Sequence, residues 1–183
     1  MGTTQANRRC ARNTCKYLPY CHSHLRSQLG LRVGASVHGD GVFATRNLPE
    51  GMIIPYSGER LTNAVLDQRY GPDDLDIAPY AYRTRRNNNI DAACKRFVGA
   101  KINDASAEPS ENAAFNASRH RYNAEFESVG KNARIRLTRA VPAGQELFVD
   151  YGREYWQAMH SAPPNVRSIN RTSKLRHPTH VAV

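Results

Sequence analysis

Residues 139–156 read R-A-V-P-A-G-Q-E-L-F-V-D-Y-G-R-E-Y-W, and the fold turns on how this stretch is interpreted. Its apolar part, QELFVDYG (145–152), is short, follows a Pro-Ala-Gly turn and ends on a glycine. Runs of this kind, rich in Val, Phe and Tyr and cut by Gly and Pro, predict short β-strands. Working outward, the same pattern returns in NARIRLTRAV (132–141), MIIPYSG (52–58), GVFATRNL (41–48) and LRVGASV (31–37). The middle of the chain is therefore expected to be mainly β, with short helices. One such helix is predicted over 62–70, where Thr62 can cap NAVLDQRY and Gly71-Pro72 would end it. The small, polar stretch 105–121 reads as a loop or insertion.

At 183 residues the chain is long enough to bury an apolar core without disulfide staples. Its formal charge of +10 is unevenly placed, because all 16 acidic residues fall between Asp40 and Glu154. Arg8, Arg9, Arg12, Lys16 and Arg26 make the first thirty residues basic, and Arg167, Arg171, Lys174 and Arg176 do the same for the end. The sequence thus divides into a basic segment 1–30, a near-neutral domain 31–156 and a basic tail 157–183. Basic ends flanking a neutral core suit contact with a polyanion such as nucleic acid, or simply keep a protein in solution. No apolar run approaches the roughly 18 residues of a membrane span, and MGTTQANRRCAR lacks a signal-peptide core. A soluble, intracellular protein is expected.

Three of the four cysteines lie in one window, Cys10-x4-Cys15-x5-Cys21-x2-His24. Three thiolates and an imidazole this close together suit a tetrahedral, structural Zn²⁺ site better than a disulfide framework. Reduced thiols without metal are the alternative, and His22 could replace His24. Cys94 stands apart and reads as a plain buried thiol.

Three separated segments then have to be explained together: GDGVFATRNLPEGMIIPYSGE (39–59), KINDA (101–105) and RAVPAGQELFVDYGREYW (139–156). In order and spacing they resemble the SET-domain family of protein-lysine methyltransferases, over about residues 31–156. The first is similar to that family's opening glycine turn and Y-x-G-E strand, the second stands where the family has R-F-I-N-H-S, and the third is similar to G-E-E-L-x-x-D-Y-G. The Cys3His segment is similar to short zinc modules that precede some SET domains of protists and viruses. The resemblance implies a β-clip fold in which segments two and three cross in a knot-like, pseudoknotted arrangement beside a small N-terminal zinc module. It also implies transfer of a methyl group from S-adenosylmethionine to a lysine amine, with a histone as the expected substrate, nuclear localisation and a role in chromatin regulation.

The site residues follow from the resemblance and from chemistry. Gly39, Asp40, Gly41, Val42 and Phe43 are expected at the cofactor, since glycines let backbone N–H groups approach a carboxylate closely. Asn103, Asp104, Tyr151 and Trp156 join them, Asn103 offering both an amide donor and an acceptor. Tyr151 is the expected catalytic residue with Tyr56, because an in-line displacement at carbon needs alignment more than a covalent nucleophile. Tyr56, Tyr82, Tyr122, Phe148 and Val149 are expected to line the lysine channel, and Arg153 to Met159 to cap it. Most aromatics in a small β domain are simply core, which is the competing reading for each. The modest size of Val149 leaves room around the amine for di- or trimethylation.

The sequence departs from the family pattern at Asp104, where the motif has histidine, and at Ala100-Lys101, where it has an arginine and an aromatic residue. The family's second asparagine is matched best by Asn123, one hairpin upstream of the third segment. These departures favour the rival reading, an inactive SET-like scaffold that binds chromatin, nucleic acid or protein. The acidic run Asp73, Asp74, Asp76 could attract a basic peptide or be a solvated turn.

Overall fold

The structure, a computed structural model, describes residues 20–70, 78, 80–93, 97–106 and 117–161. Cys10, Cys15, the acidic run at 73–76, Cys94 and the basic tail beyond 161 lie outside the described residues. The described chain enters through a helical turn, α1 (His22–His24), continued by a π-helical stretch Leu25–Leu29. Gly30, at φ +66°, closes it in the left-handed conformation that glycine adopts freely. β1 (Leu31–Ser36) and β2 (Gly39–Ala44) form an antiparallel hairpin, in register from Leu31↔Ala44 to Ser36↔Gly39.

Next come β3 (Ile53–Tyr56), β4 (Glu59–Leu61), α2 (Asn63–Tyr70), β5 (Ala81–Arg85) and β6 (Asn88–Asp91). A 3-10 turn, Val98–Lys101, leads into the second motif, and another, Arg119–Arg121, precedes the hairpin β7 (Ala124–Val129) and β8 (Asn132–Leu137). α3 (Arg153–Ser161) ends the described chain. Besides the β1-β2 hairpin, the described residues form two three-stranded antiparallel sheets, ordered β3-β8-β7 and β4-β6-β5. The predicted helix forms as α2, its start tied by the Val65 N–H donating to Thr62 Oγ1 at 3.3 Å.

Alternation builds the core. In β8, Ala133, Ile135 and Leu137 point inward while Arg134 and Arg136 stay partly exposed. They pack with Leu31, Val42, Ile54, Leu147 and Val149 in one apolar cluster that also takes in Leu25. No helix among the described residues is long and apolar enough to cross a membrane.

The stretch QELFVDYG differs from expectation in an informative way. It forms no regular strand but is gripped by three neighbours in turn. Phe43 bridges Glu146 antiparallel, Asn103 bridges Phe148 in parallel, and Ala124 bridges Val149 in parallel. Each neighbour holds it for only a residue or two, so no long ladder can build. The consequence is that segment 146–149 passes between the first and second motifs on one edge, which take the Leu147 and Val149 N–H groups, and the start of β7 on the other, which donates to the Phe148 carbonyl.

Candidate functional site

The crossing carries Tyr151 to the second motif. Residues 102–104 hold this part of the chain at three successive points: Tyr151 Oη donates to the Ile102 carbonyl at 2.7 Å, Val149 N–H to the Asn103 carbonyl at 3.0 Å, and Tyr151 N–H to Asp104 Oδ2 at 2.8 Å. Asn103 and Tyr151 are therefore neighbours, although 48 residues of sequence separate them in the chain. Burial pushes the Tyr151 phenol well above the usual tyrosine range, and Tyr155, Tyr56, Asp104 and Tyr80 raise it further. A phenol so placed keeps its proton and donates it to a fixed acceptor, the Ile102 carbonyl.

Aromatic rings surround it. Tyr155 meets Tyr151 edge-on at 4.9 Å between centroids, and the Trp156 indole lies nearly parallel to Tyr151 at 6.2 Å. A second group joins Tyr56, Tyr82 and Phe126: Tyr82 stacks on Phe126 at 4.7 Å and Tyr56 stands edge-on to Phe126 at 5.3 Å. Tyr56 Oη donates to the Tyr80 carbonyl at 2.7 Å. Such rings, Tyr56 buried and the others half-buried, present π faces of the kind that hold an organic cation.

On the other side of Asn103 lies the glycine turn. Asn103 Nδ2 donates to Glu146 Oε1 at 3.0 Å, and Ser36 Oγ donates to Glu146 Oε2 at 2.8 Å. A Cβ on Gly41 would stand 2.1 Å from Glu146 Oε1 and 3.1 Å from Asn103 Nδ2, so only glycine permits this approach. Lys101 Nζ pairs with Asp40 Oδ2 at 3.1 Å across the same turn. His38 meets Phe148 edge-on at 6.2 Å, and the Arg121 guanidinium lies over the Phe148 ring at 4.3 Å. The donor set fits the amino-acid end of S-adenosylmethionine: Glu146 is a carboxylate for an ammonium, while Asn103 and Lys101 are donors for a carboxylate.

The structure thus brings together Gly39, Asp40, Gly41, Asn103, Asp104, Tyr151 and Trp156, and sets Tyr56 with Tyr82. Val42 and Val149 are in the core, both at most 1 % exposed, and Phe43 faces Glu146 through its backbone bridge. Tyr122 donates to Asp104 Oδ1 at 2.5 Å, and Phe148 turns toward His38 and Arg121. Sequence reasoning missed Ser36, His38, Glu146, Tyr80 and Phe126. Only Glu146 had a signal, its place in the third motif; the others are ordinary residues until the fold supplies their neighbours.

Cys21 and His24 are the described members of the Cys3His set. Cys21 is 4 % exposed, with its Sγ 3.1 Å from His24 Nδ1. A thiol and an imidazole nitrogen this close can face one tetrahedral ion, so both fit zinc. Among the described residues no group of three or more metal-ligating side chains assembles.

Comparison with known proteins gives the SET domain over residues 39–152. No curated protein matches the chain. A crystal structure of the Chaetomium thermophilum polycomb repressive complex 2 is 23% identical over 67% of this chain and 15% of its own, with a TM-score of 0.49. ctPRC2 in an autoinhibited conformation bound to S-adenosylmethionine is 21% identical over 78% of this chain and 17% of its own, with a TM-score of 0.51. ctPRC2 in complex with H3K27me3 and H3K27M is 23% identical over 67% and 14%, with a TM-score of 0.50. The last two share the fold, and this chain spans less than a fifth of their length. The matched segment runs from the glycine turn to the residue after Tyr151 and contains the whole crossing, and on that basis the chain belongs to the SET-domain family.

Proposed function

We propose that this protein is an S-adenosylmethionine-dependent protein-lysine methyltransferase whose substrate is a histone tail in the nucleus. The observation that carries the reading is the Tyr151 hydroxyl bonded at 2.7 Å to the Ile102 carbonyl, one residue from Asn103, between the glycine turn and the aromatic walls. Family membership supports the reaction class. The ctPRC2 structure with H3K27me3 and H3K27M supports the substrate class.

When bound, S-adenosylmethionine supplies an electrophilic methyl group on a sulfonium. Glu146, Asn103 and the backbone of Gly39–Gly41 would hold its amino-acid end. The Tyr151 hydroxyl and the Ile102 carbonyl, 2.7 Å apart, would present two oxygens that orient the incoming amine. Tyr56, Tyr80, Tyr82 and Tyr155 remove water from its path, and desolvation lowers the pKa of an ammonium, so the substrate lysine loses its proton to solvent before reaching Tyr151. Alignment, rather than a covalent nucleophile on the protein, supplies the rate.

Incubation with labelled S-adenosylmethionine and a panel of histones and lysate proteins tests the assignment. Tyr151→Phe is expected to reduce transfer by about 10²-fold or more, the scale at which loss of one preorganised polar group is felt, while cofactor binding persists. Cofactor binding without transfer to any protein would sink the enzymatic reading and leave the scaffold. Product analysis at exhaustive turnover tests whether Val149, buried two residues before Tyr151, still borders the amine: its small side chain would then allow di- or trimethyl-lysine, and monomethyl-lysine alone would show that it does not.

Two binding roles complete the reading. Cys21 and His24, with Cys10 and Cys15, would hold a structural Zn²⁺. The basic ends would contact nucleic acid, an attraction that weakens steeply with salt.

A further inference from the structure

The histidine of the family motif is replaced by Asp104, and the surroundings of that carboxylate show a built arrangement rather than a lost one. Asp104 is 3 % exposed. Its Oδ1 accepts the Ser106 N–H at 2.8 Å and the Tyr122 O–H at 2.5 Å. Its Oδ2 accepts the Tyr151 N–H at 2.8 Å and the Trp156 indole N–H at 3.0 Å. Two oxygens therefore take four donors, from its own loop, from the residues before β7, and from both ends of the turn into α3. Burial raises the Asp104 pKa, and the hydrogen bonds from Tyr122, Ser106, Tyr151 and Trp156 oppose that rise. The Tyr122 phenol is pushed up by burial and by Asp104, so it keeps its proton and acts as a donor.

We propose that Asp104 is a positioning residue that seats Tyr151 and locks the Trp156 indole, and with it α3, over the site. The inference rests on Tyr151 being the catalytic tyrosine of the reading above. Tyr151 is then fixed at both ends by one short segment, its hydroxyl by the Ile102 carbonyl and its backbone by the Asp104 carboxylate. Trp156 is fixed by the same oxygen that holds Tyr151, so the near-parallel pair of rings, 16° apart, is set by a single group. Neutral imidazole has one acceptor nitrogen and could satisfy at most one of these four donors. Aspartate is thus a different solution at this position, matched to Tyr122 and Trp156.

The chain contains one tryptophan, so its fluorescence reports Trp156 alone. Asp104→Asn preserves size but sets an amide donor against N–H and O–H donors. In the full-length protein it is expected to shift Trp156 emission to the red and raise its quenching by acrylamide. With core histones and saturating S-adenosylmethionine, kcat should fall at least about tenfold with little change in KM for the histone, as expected for misplacement by a fraction of an ångström. Asp104→His should not restore either signal. Tyr122→Phe, which removes one donor and keeps the carboxylate, should move both readouts the same way by a smaller amount, and serves if Asp104→Asn fails to fold. Folded variants with wild-type emission and quenching would overturn the proposal, as would a fall in thermal midpoint alone with kcat intact. Should the unaltered protein transfer no methyl group, the enzymatic reading fails, and the fluorescence still supports or overturns the clamp by itself.

Discussion

At the scale of single residues, the pH response follows from the environment of Tyr151. Its phenol is raised by burial, so it stays protonated below and through the ordinary tyrosine range near ~10. The group that titrates on the rate is then the substrate lysine, ordinarily near ~10.4. kcat/KM is expected to climb with pH from neutrality toward pH ~9.5, and Tyr151→Phe should lower the whole profile without changing its slope. An alkaline limb present in the unaltered protein and absent from Tyr151→Phe would mean the phenol itself titrates, against this account. Two glycines separate function from stability. At Gly41 a new Cβ meets the movable end of Glu146, so Gly41→Ala should leave the thermal midpoint within about 2 °C of the unaltered protein, a stability change below ~1 kcal/mol, and raise KM for S-adenosylmethionine. At Gly58 it would lie 2.2 Å from the Asp91 carbonyl oxygen, a backbone atom held in the β4-β6 pairing. Gly58→Ala is therefore expected to cost about 2–4 kcal/mol in a urea titration. Gly41 and Tyr151 were legible in the sequence because their spacing repeats a pattern. Ser36 was not, since its partner Glu146 is 110 residues away and nothing local marks either as half of a pair. Asp104 was legible only as a departure, because a sequence cannot count the donors that fold around a carboxylate.

At the scale of elements, Asn123 straps the crossing in place. It is 2 % exposed, its Oδ1 accepts the Phe148 N–H at 2.9 Å and its Nδ2 donates to the Glu146 carbonyl at 2.9 Å. The Asn123 and Ala124 N–H groups both reach the Phe148 carbonyl, at 3.2 and 3.1 Å. One side chain thus satisfies two backbone groups of a segment that has no continuous strand beside it. Asn123→Ala strands both and should cost about 2–4 kcal/mol, each unsatisfied buried group being worth roughly 1–3, with a lowered urea midpoint and an unchanged slope. A loss below ~0.5 kcal/mol would show that the crossing is held by other means. The hairpin that supplies Asn123 could be read from the alternation in ARIRL, whose Ala133, Ile135 and Leu137 are all buried. β7 was less legible because AEFESV buries only Ala124 fully and leaves its far end exposed. α2 has almost no apolar face and no buried residue. Its Thr62 cap gave it away, and its place is fixed by polar ties: Arg69 to Glu59 at 2.9 Å and to Asp91 at 2.7 Å, with Tyr70 Oη donating to Asp91 at 2.9 Å.

At the scale of the whole molecule, the described end of the N-terminal segment, residues 20–30, shares one interior with the SET core. Leu25, 1 % exposed, belongs to the same cluster as Ile54 and Ile135, and Tyr20 stands edge-on to Phe97 at 5.4 Å. Across the described residues, packing thus continues past residue 30, where the composition changes. This bears on the zinc proposal, because a metal that orders Cys21 and His24 also holds α1, and α1 leads directly into Leu25. Metal and core should then melt together. The purified protein is expected to carry one zinc per chain by elemental analysis and to unfold in a single calorimetric transition. Removing the metal with a chelator should lower the midpoint of that one transition by several degrees, since each ~1 kcal/mol is worth about 2–4 °C in a domain of this size. Cys21→Ser, which keeps the buried volume but removes the thiolate, should reproduce the shift and leave the chelator without further effect. Two separate transitions, with only the lower one sensitive to chelator, would mean that Leu25 and Tyr20 merely rest against the core and that the N-terminal segment folds as a unit of its own.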